Sequence, residues 1–225
     1  MIKQIIPFRL PLPFKLSNVY SYLLQTDEGF FLVDTGMTNA RRQLDSALQH
    51  FCTNPSDLKL IILTHGDFDH TGNARYIRDR YHSRISMHSD DAPMLANGDM
   101  FWKRKIKNGL LKQVMSMVIR FGEQNQCEPD VLLADGDSLA PYGLDAQVLN
   151  TPGHSSGSIC LLTSAGDLFC GDLFNNSSGK PRLNSMMYNQ PAAEVSFTRL
   201  KSLPIKMVYP GHGKPFPWNA LIEQP

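Results

Sequence analysis

The segment Leu60-Ile61-Ile62-Leu63-Thr64-His65-Gly66-Asp67-Phe68-Asp69-His70 indicates both the fold and the class of function. It begins with a continuous apolar run, which is typical of a strand buried on both faces of a sheet. Four side chains able to bind a metal follow directly after that run: His65, Asp67, Asp69 and His70. Because ligands of open α/β sheets bind beyond the carboxyl ends of the strands, the segment predicts a metal site at that edge of a sheet.

Three later segments also end an apolar run with a potential ligand, and each carries Gly or Pro just before it: Thr151-Pro152-Gly153-His154, Cys170-Gly171-Asp172 and Val208-Tyr209-Pro210-Gly211-His212. The Gly and Pro residues predict that each strand breaks before its ligand and turns the side chain into the crevice. Together with the first cluster they supply seven candidate ligands, enough for two sites that share a carboxylate. Imidazole and carboxylate ligands without thiolate suit a catalytic zinc, iron or manganese centre.

Apolar runs typical of strands recur along the chain and alternate with helical patterns. The predicted strands are 2–6, 19–24, 30–33, 58–63, 85–87, 146–149, 158–162, 168–170 and 205–209. The predicted helices are 39–52, 73–81, 100–121 with a break near Gly109, and 192–203. The strands fall into two groups, residues 1–87 and 131–209, and helices are interleaved in each. We therefore expect an α/β fold with two sheets packed face to face between outer helices, a four-layer αββα sandwich.

The order of these ligands resembles that of the metallo-β-lactamase superfamily, which includes glyoxalase II and acyl-homoserine lactonase, and the resemblance covers nearly the whole chain. Members carry an Asp-x-Gly turn, here Asp34-Thr35-Gly36, then a His-x-His-x-Asp-His cluster and separated His, Asp and His ligands. The resemblance implies a single metallo-β-lactamase-like domain over residues 1–225 with the metallo-β-lactamase fold.

The resemblance also implies a role for each ligand. The first metal would be held by His65 and His154, the second by Asp69, His70 and His212, and Asp172 would bridge them. In the family, the residue at the position of Asp34 supports the ligand loop through hydrogen bonds, although an Asp that only forms a turn before Gly would look the same.

Asp67 departs from the family pattern, because most members have the second His of the cluster at this position. A carboxylate here adds negative charge to the first site, weakens the Lewis acidity of its metal and tolerates iron or manganese better than an imidazole does. Flavodiiron proteins of the same superfamily also place a carboxylate, Glu, at this position. We expect two divalent metal ions, with zinc favoured and iron or manganese as alternatives.

The predicted function is metal-dependent hydrolysis of a small ester, thioester, lactone or amide. A hydroxide bridging two cations would attack the carbonyl group, with Asp69 and Asp172 as the catalytic residues and Asp69 as the group that orients the hydroxide and accepts its proton. Two alternatives stay open: a di-iron redox protein related to the flavodiiron proteins, and a phosphodiesterase or nuclease of the same superfamily.

The segment 90–128 inserts helical sequence rich in Met and Lys between the two strand groups. It is interpreted as a lid, because flexible methionines accommodate varied apolar substrates, but a helix packed on the sandwich with a solvated basic face would give the same pattern. A second loop, 174–190, follows Asp172 and is also expected to line the substrate pocket. The predicted substrate-pocket residues are Met115, Met117, Arg182 and Tyr188.

Composition limits the classes of partner. With 42% hydrophobic residues, 19% charged residues and a formal net charge of +1, the chain has no global field that would attract a polyanion, so no nucleic acid is expected. No apolar stretch approaches a membrane span, and no export signal is evident. The expected partner is a small-molecule substrate in the cytoplasm, with a homodimer possible. The four cysteines are interpreted as reduced thiols.

Overall fold

The computed structural model describes residues 1–13, 17–102 and 122–222. Its first sheet has the strand order β1-β2-β3-β4-β5-β6. These strands are β1 Gln4–Pro11, β2 Asn18–Gln25, β3 Phe30–Val33, β4 Leu58–Ile62, β5 Arg84–His88 and β6 Val131–Leu133. β1 to β3 run antiparallel, and β3 to β6 run parallel, so the carboxyl ends of the last four strands meet at one edge.

The second sheet has the order β12-β11-β9-β8-β7, with the short β10 paired to β9. Its strands are β7 Ala146–Asn150, β8 Ile159–Thr163, β9 Asp167–Asn176, β10 Arg182–Leu183, β11 Met207–Gly213 and β12 Phe216–Pro217. All neighbouring strands are antiparallel except β9 and β11, which are parallel.

Helices cover the outer face of each sheet. Those on the first sheet are α1 Arg41–Phe51, α3 Ala74–Tyr81 and α4 Ala92–Asn97, and the one-turn α2 Phe68–Thr71 precedes α3. Those on the second sheet are α5 Gln190–Leu200 and α6 Asn219–Ile222. Leu44 and Leu48, one turn apart, bury the inner face of α1. At α5, the Asn189 side chain accepts a hydrogen bond from the Ala192 N–H and so caps the helix.

The apolar run in β4 shows why the chain folds into four layers. Leu60 and Ile62 lie in the core between the two sheets, whereas Ile61 lies in the core under the outer helices. Successive side chains of a strand point to opposite faces, so a strand buried on both faces requires consecutive apolar residues. A third core fills the space between the second sheet and α5. The predicted αββα sandwich is confirmed.

Two expectations about the strands are wrong. β6 follows residue 130 in the chain but pairs with β5, so it extends the first sheet instead of starting the second. β9 and β11 do not end before Asp172 and His212 but continue through them. Their pairing shifts register at Tyr209, Pro210 and His212, so a β-bulge, and not the end of a strand, re-aims the ligands.

Most of the predicted helix at 100–121 lies outside the described residues, and so do Met115 and Met117. Among the helices that the structure describes, none is long and apolar enough to cross a bilayer.

Candidate metal centre

The first ligand cluster is built at the carboxyl end of β4. The chain leaves the strand at Leu63, passes through His65 and Gly66, and enters α2 with Asp67 as the residue before its first turn. The Asp67 carbonyl accepts hydrogen bonds from the N–H groups of His70 and Thr71, both at 3.0 Å. This one-turn helix fixes Asp69 and His70 relative to His65, because its backbone bonds leave the loop little freedom.

The structure brings all seven predicted metal ligands to one place. Two groups each offer donor atoms that lie within 4.8 Å of one another: His65, His154 and Asp172 in one, and Asp69, His70 and His212 in the other. Asp67 adjoins the first group, since its Oδ2 lies 3.0 Å from Nε2 of His154 and 3.9 Å from Nε2 of His65.

Asp172 lies between the two groups and touches both. Its Oδ1 is 3.3 Å from Nε2 of His70, and its Oδ2 is 3.5 Å from Nε2 of His212 and 3.9 Å from Nε2 of His154. Glycine makes this approach possible, because a Cβ on Gly211 would lie 2.6 Å from Asp172 Oδ1 and 2.5 Å from the His70 ring. A side chain at that position would separate the two groups.

All four imidazole rings present the same nitrogen, Nε2, to the site. The Nδ1 atoms of His154 and His212 donate to the carbonyls of Met186 at 2.7 Å and Asn18 at 3.0 Å. Nδ1 of His70 donates to Asp34 Oδ2 at 2.8 Å. Because these partners can only accept, each Nδ1 carries a hydrogen, and Nε2 is the atom left to bind a cation.

His65 reaches the same tautomer through Thr64. The single hydroxyl hydrogen of Thr64 is donated to Asp34 Oδ2 at 2.8 Å. The hydroxyl oxygen, 3.0 Å from Nδ1 of His65, is therefore left as an acceptor for the ring N–H. A chain of two hydrogen bonds thus links the His65 ring to the Asp34 carboxylate.

Asp34 has the position expected of a residue that supports the ligand loop. It follows β3 with φ of 58°, a left-handed conformation that Asp adopts more readily than most residues. Its carboxylate is buried and accepts from the Thr64 N–H at 2.8 Å, as well as from the Thr64 hydroxyl and His70. One side chain therefore orients both histidines of the first cluster.

The electrostatics of the site favour a cation. Burial alone would lower the pKa of His70, but the carboxylates of Asp34, Asp172 and Asp69 outweigh it and raise that pKa. Burial is likewise outweighed at His212, where Asp172 and the hydrogen bond to Asp69 raise the pKa to about 9. The histidines lower the pKa of Asp172 and of Asp69 despite burial.

The donor set fits a pair of divalent cations. Nε2 of His70 and Oδ1 of Asp172 are buried and have no hydrogen-bond partner among the described residues, although they lie 3.3 Å apart. A cation would satisfy both atoms, which otherwise carry a desolvation penalty of about 1–3 kcal/mol each. Nitrogen and oxygen donors in groups of three, with a shared carboxylate, are ligands that zinc, iron and manganese accept.

An apolar cavity of about 240 Å³ opens beside the first group. Asp67 and His154 form one wall, and the other lining residues are Met100, Phe101, Met186, Met187 and Tyr188. Of the predicted pocket residues, Tyr188 lines this cavity, whereas Arg182 is exposed on β10 and does not.

Asp91 is a buried carboxylate beside the ligand loops that was not predicted from the sequence. It follows β5, so a signal for it existed: the carboxyl ends of neighbouring parallel strands gather at one edge, and Asp34 and His65 follow β3 and β4 in the same way. The backbone carbonyls of Asn18 and Met186 carry no such signal, because any residue supplies a carbonyl.

Comparison with known proteins identifies the family of the chain and relatives named as hydrolases. A family model described as the Metallo-beta-lactamase superfamily matches residues 15–212. A relative named "Probable metallo-hydrolase YqjP", from Bacillus subtilis (strain 168), is 28% identical over an alignment that covers 99% of this chain and 76% of the relative. The acyl-coenzyme A thioesterase MBLAC2 of Gallus gallus is 30% identical over 68% of this chain and 56% of its own length.

Solved structures share the fold. ST1585 of Sulfolobus tokodaii, an archaeal metallo-beta-lactamase superfamily protein, superposes with a TM-score of 0.72 over 98% of this chain and 84% of its own, at 19% identity. At that identity the likeness concerns the fold alone.

Proposed function

The chain belongs to the metallo-beta-lactamase superfamily, and from that premise we propose that it is a dinuclear metallohydrolase that cleaves a small ester, thioester, lactone or amide. The observation that carries the proposal is the pair of three-donor groups that meet at Asp172, with an apolar cavity against one of them. Similarity to YqjP, named a probable metallo-hydrolase, and to MBLAC2, an acyl-coenzyme A thioesterase, supports it.

The residues divide the chemistry between them. Two divalent cations held there would supply Lewis acidity, lowering the pKa of a water molecule and polarising the carbonyl group it attacks. Asp69 is the group suited to take the proton, because the neighbouring His70 and His212 keep its carboxylate ionised and its side chain is 25% exposed. Asp172, only 4% exposed at its side chain, is suited to hold the two groups together.

The cavity favours an apolar acyl group over a phosphodiester. Among the described residues that line it, methionine, phenylalanine and tyrosine side chains predominate, and none is Lys or Arg. Flexible thioethers adapt to varied apolar shapes, whereas a phosphodiester would need cationic partners for its charge. The scissile carbonyl of a substrate whose acyl group filled this cavity would lie against Asp67 and His154.

A substrate panel tests the proposal. Protein loaded with zinc is offered thioesters and esters of increasing acyl length, lactones, and bis(p-nitrophenyl) phosphate. We expect acyl substrates to be hydrolysed and kcat/KM to rise with acyl length until the cavity is full. Turnover of the phosphodiester alone, or of no substrate by protein with two metal ions bound, would contradict it.

Met187→Trp tests the role of the cavity. The larger ring fills space beside Met100 and Phe101, so we expect kcat/KM for the longest accepted acyl group to fall about tenfold, the equivalent of roughly two buried methylenes at about 0.8 kcal/mol each. The acetyl substrate and the metal content should be unaffected. Val195→Trp adds the same ring at an exposed position on α5 and serves as the control. Equal losses for short and long acyl groups would show that this cavity does not hold the acyl chain.

Asp67 bears on the identity of the metal, since a carboxylate here keeps the di-iron alternative open. In Asp67→His, we expect zinc to bind the first site about tenfold more tightly, because imidazole is a better zinc ligand than carboxylate. The substitution keeps the backbone carbonyl at position 67 that accepts the first hydrogen bonds of α2, and the adjoining cavity has room for the ring. Asp67→Asn, which removes the charge and keeps the shape, should weaken zinc binding.

Chelator competition measures zinc affinity in these variants, and elemental analysis of the purified wild-type protein identifies the native metal. Unchanged zinc affinity in both variants would mean that Asp67 does not bind the metal. Two irons with no hydrolytic turnover would favour the redox alternative.

A further inference from the structure

Asp91 is a fully buried carboxylate that belongs to neither donor group. It lies between β5 and α4, and its carboxylate caps no N–H group at the start of α4. All the hydrogen bonds described for its carboxylate come from two other segments, the loop that carries His65 and Asp67 and the loop that carries His154. A buried charge is costly unless it is hydrogen-bonded, so moving either loop away from Asp91 would leave its carboxylate poorly compensated.

The carboxylate accepts three hydrogen bonds across large sequence separations. Oδ2 accepts from the Gly66 N–H at 2.9 Å and from the Ser155 hydroxyl at 2.6 Å. Oδ1 accepts from the Gly157 N–H at 2.9 Å. Gly66 lies between His65 and Asp67, and Ser155 follows His154, so each bond is made within one residue of a candidate ligand or, for Gly157, within three.

The donor directions are fixed. The Ser155 N–H donates to the Ser158 hydroxyl oxygen at 3.0 Å, and the two hydroxyls lie 2.7 Å apart. Because the Ser155 hydroxyl hydrogen is used at Asp91, the Ser158 hydroxyl must donate to Ser155. The two ends of the His154 loop are thus joined to each other, and the loop is tied to Asp91 both through the two hydroxyls and through the Gly157 N–H.

Glycine allows the two loops to approach the carboxylate. A Cβ on Gly157 would lie 2.7 Å from both the backbone nitrogen and Oδ1 of Asp91. A Cβ on Gly66 would lie 2.6 Å from the Met94 side chain in α4, the helix that Asp91 precedes. Any larger residue would push one loop away from Asp91.

We propose that Asp91 is a positioning residue that sets the spacing of the His65–Asp67 loop and the His154 loop, and so determines the affinity of the first metal site. The inference rests on the proposed function only in that it requires metal binding. The second site contains Asp69, His70 and His212, none of which belongs to a segment that Asp91 binds directly, apart from the shared helix start. We therefore expect Asp91 to act much more strongly on the first site than on the second.

Asp91→Asn tests this with little change of shape. An amide has one oxygen, so its NH₂ group must face at least one of the three donors, and the loops must separate to relieve that repulsion. We expect the first site to bind Co²⁺ about tenfold more weakly, which is the order of effect that outer partners of metal ligands produce, and the second site to change by less than about twofold.

The measurement is a Co²⁺ titration of metal-free protein, followed by the visible absorbance of the bound ion. The binding step that disappears in His65→Ala identifies the first site, and the step that disappears in His212→Ala identifies the second. Asp90→Asn, at the adjacent exposed position outside this network of bonds, is the matched control. Ser155→Ala removes one donor and keeps the carboxylate, so it should weaken the same step by a smaller factor. It provides the test if Asp91→Asn folds poorly.

Wild-type affinity at the first step in Asp91→Asn or in a folded Ser155→Ala would overturn the inference, and so would an equal loss at both steps, which is the signature of a purely structural role. Neither result would touch the proposed function, which the wild-type metal content and turnover test separately. Selective weakening of the first step supports the inference whatever the substrate is.

Discussion

Replacing Asp172 by alanine is expected to lower the metal content below two ions per chain and to reduce kcat/KM by at least about a thousandfold. Asp172 contacts histidines of both donor groups, at 3.3 Å from His70, 3.5 Å from His212 and 3.9 Å from His154. Without it, the two groups lose the carboxylate that they share, and the site loses one of the negative charges that offset two cations. The loss should therefore affect binding and turnover together.

Elemental analysis of the purified variant, with kcat/KM on the best acyl substrate, checks this expectation. Thermal unfolding of the metal-free variant shows whether the fold is retained, and Asp145→Ala, at an exposed aspartate that belongs to neither donor group, is the control. Two bound ions per chain in Asp172→Ala would show that the bridging role assigned to this residue is wrong.

Asp34→Asn is expected to weaken metal binding by about 10- to 100-fold, the usual range for a partner that orients metal ligands. The carboxylate accepts three hydrogen bonds, one on Oδ1 and two on Oδ2. An amide must turn its NH₂ group either toward the Thr64 N–H, which pushes the ligand loop away, or toward both the Thr64 hydroxyl and His70. In the second orientation the His65 and His70 rings lose the acceptor that holds their tautomers. Either ring can then take the wrong tautomer and present N–H to the cation.

Asn tolerates the left-handed backbone that Asp34 adopts, so the substitution tests the hydrogen bonds and not the turn. His82→Asn, at the other described non-glycine residue with positive φ, is the matched control for backbone effects. Chelator competition on both variants gives the result. Wild-type affinity in Asp34→Asn would mean that Asp34 serves only to form the turn before Gly36.

The sequence predicted the fold because its signal is local. A strand buried on both faces needs an unbroken apolar run, and Leu60-Ile61-Ile62 supplies it, so the sandwich could be inferred without knowledge of any contact. The ends of the strands were harder to predict. Gly171 and Pro210 are typical of strand breaks, but the pairing of β9 with β11 continues through them with a bulge. Pairing partners were harder still, since nothing in 131–133 says that this strand adds to the first sheet.

The sequence by itself determined which side chains can bind a metal and their order along the chain, because imidazole and carboxylate groups are properties of residue types. Only the tertiary structure decided which hydrogen-bond partners orient these side chains. The Asn18 carbonyl, 194 residues from His212 in sequence, fixes the tautomer of that ring, and Asp91 ties two ligand loops together. Every residue has a backbone carbonyl and an N–H group, so the partners that orient these ligands are selected by where the folded chain places them, which residue identity does not encode.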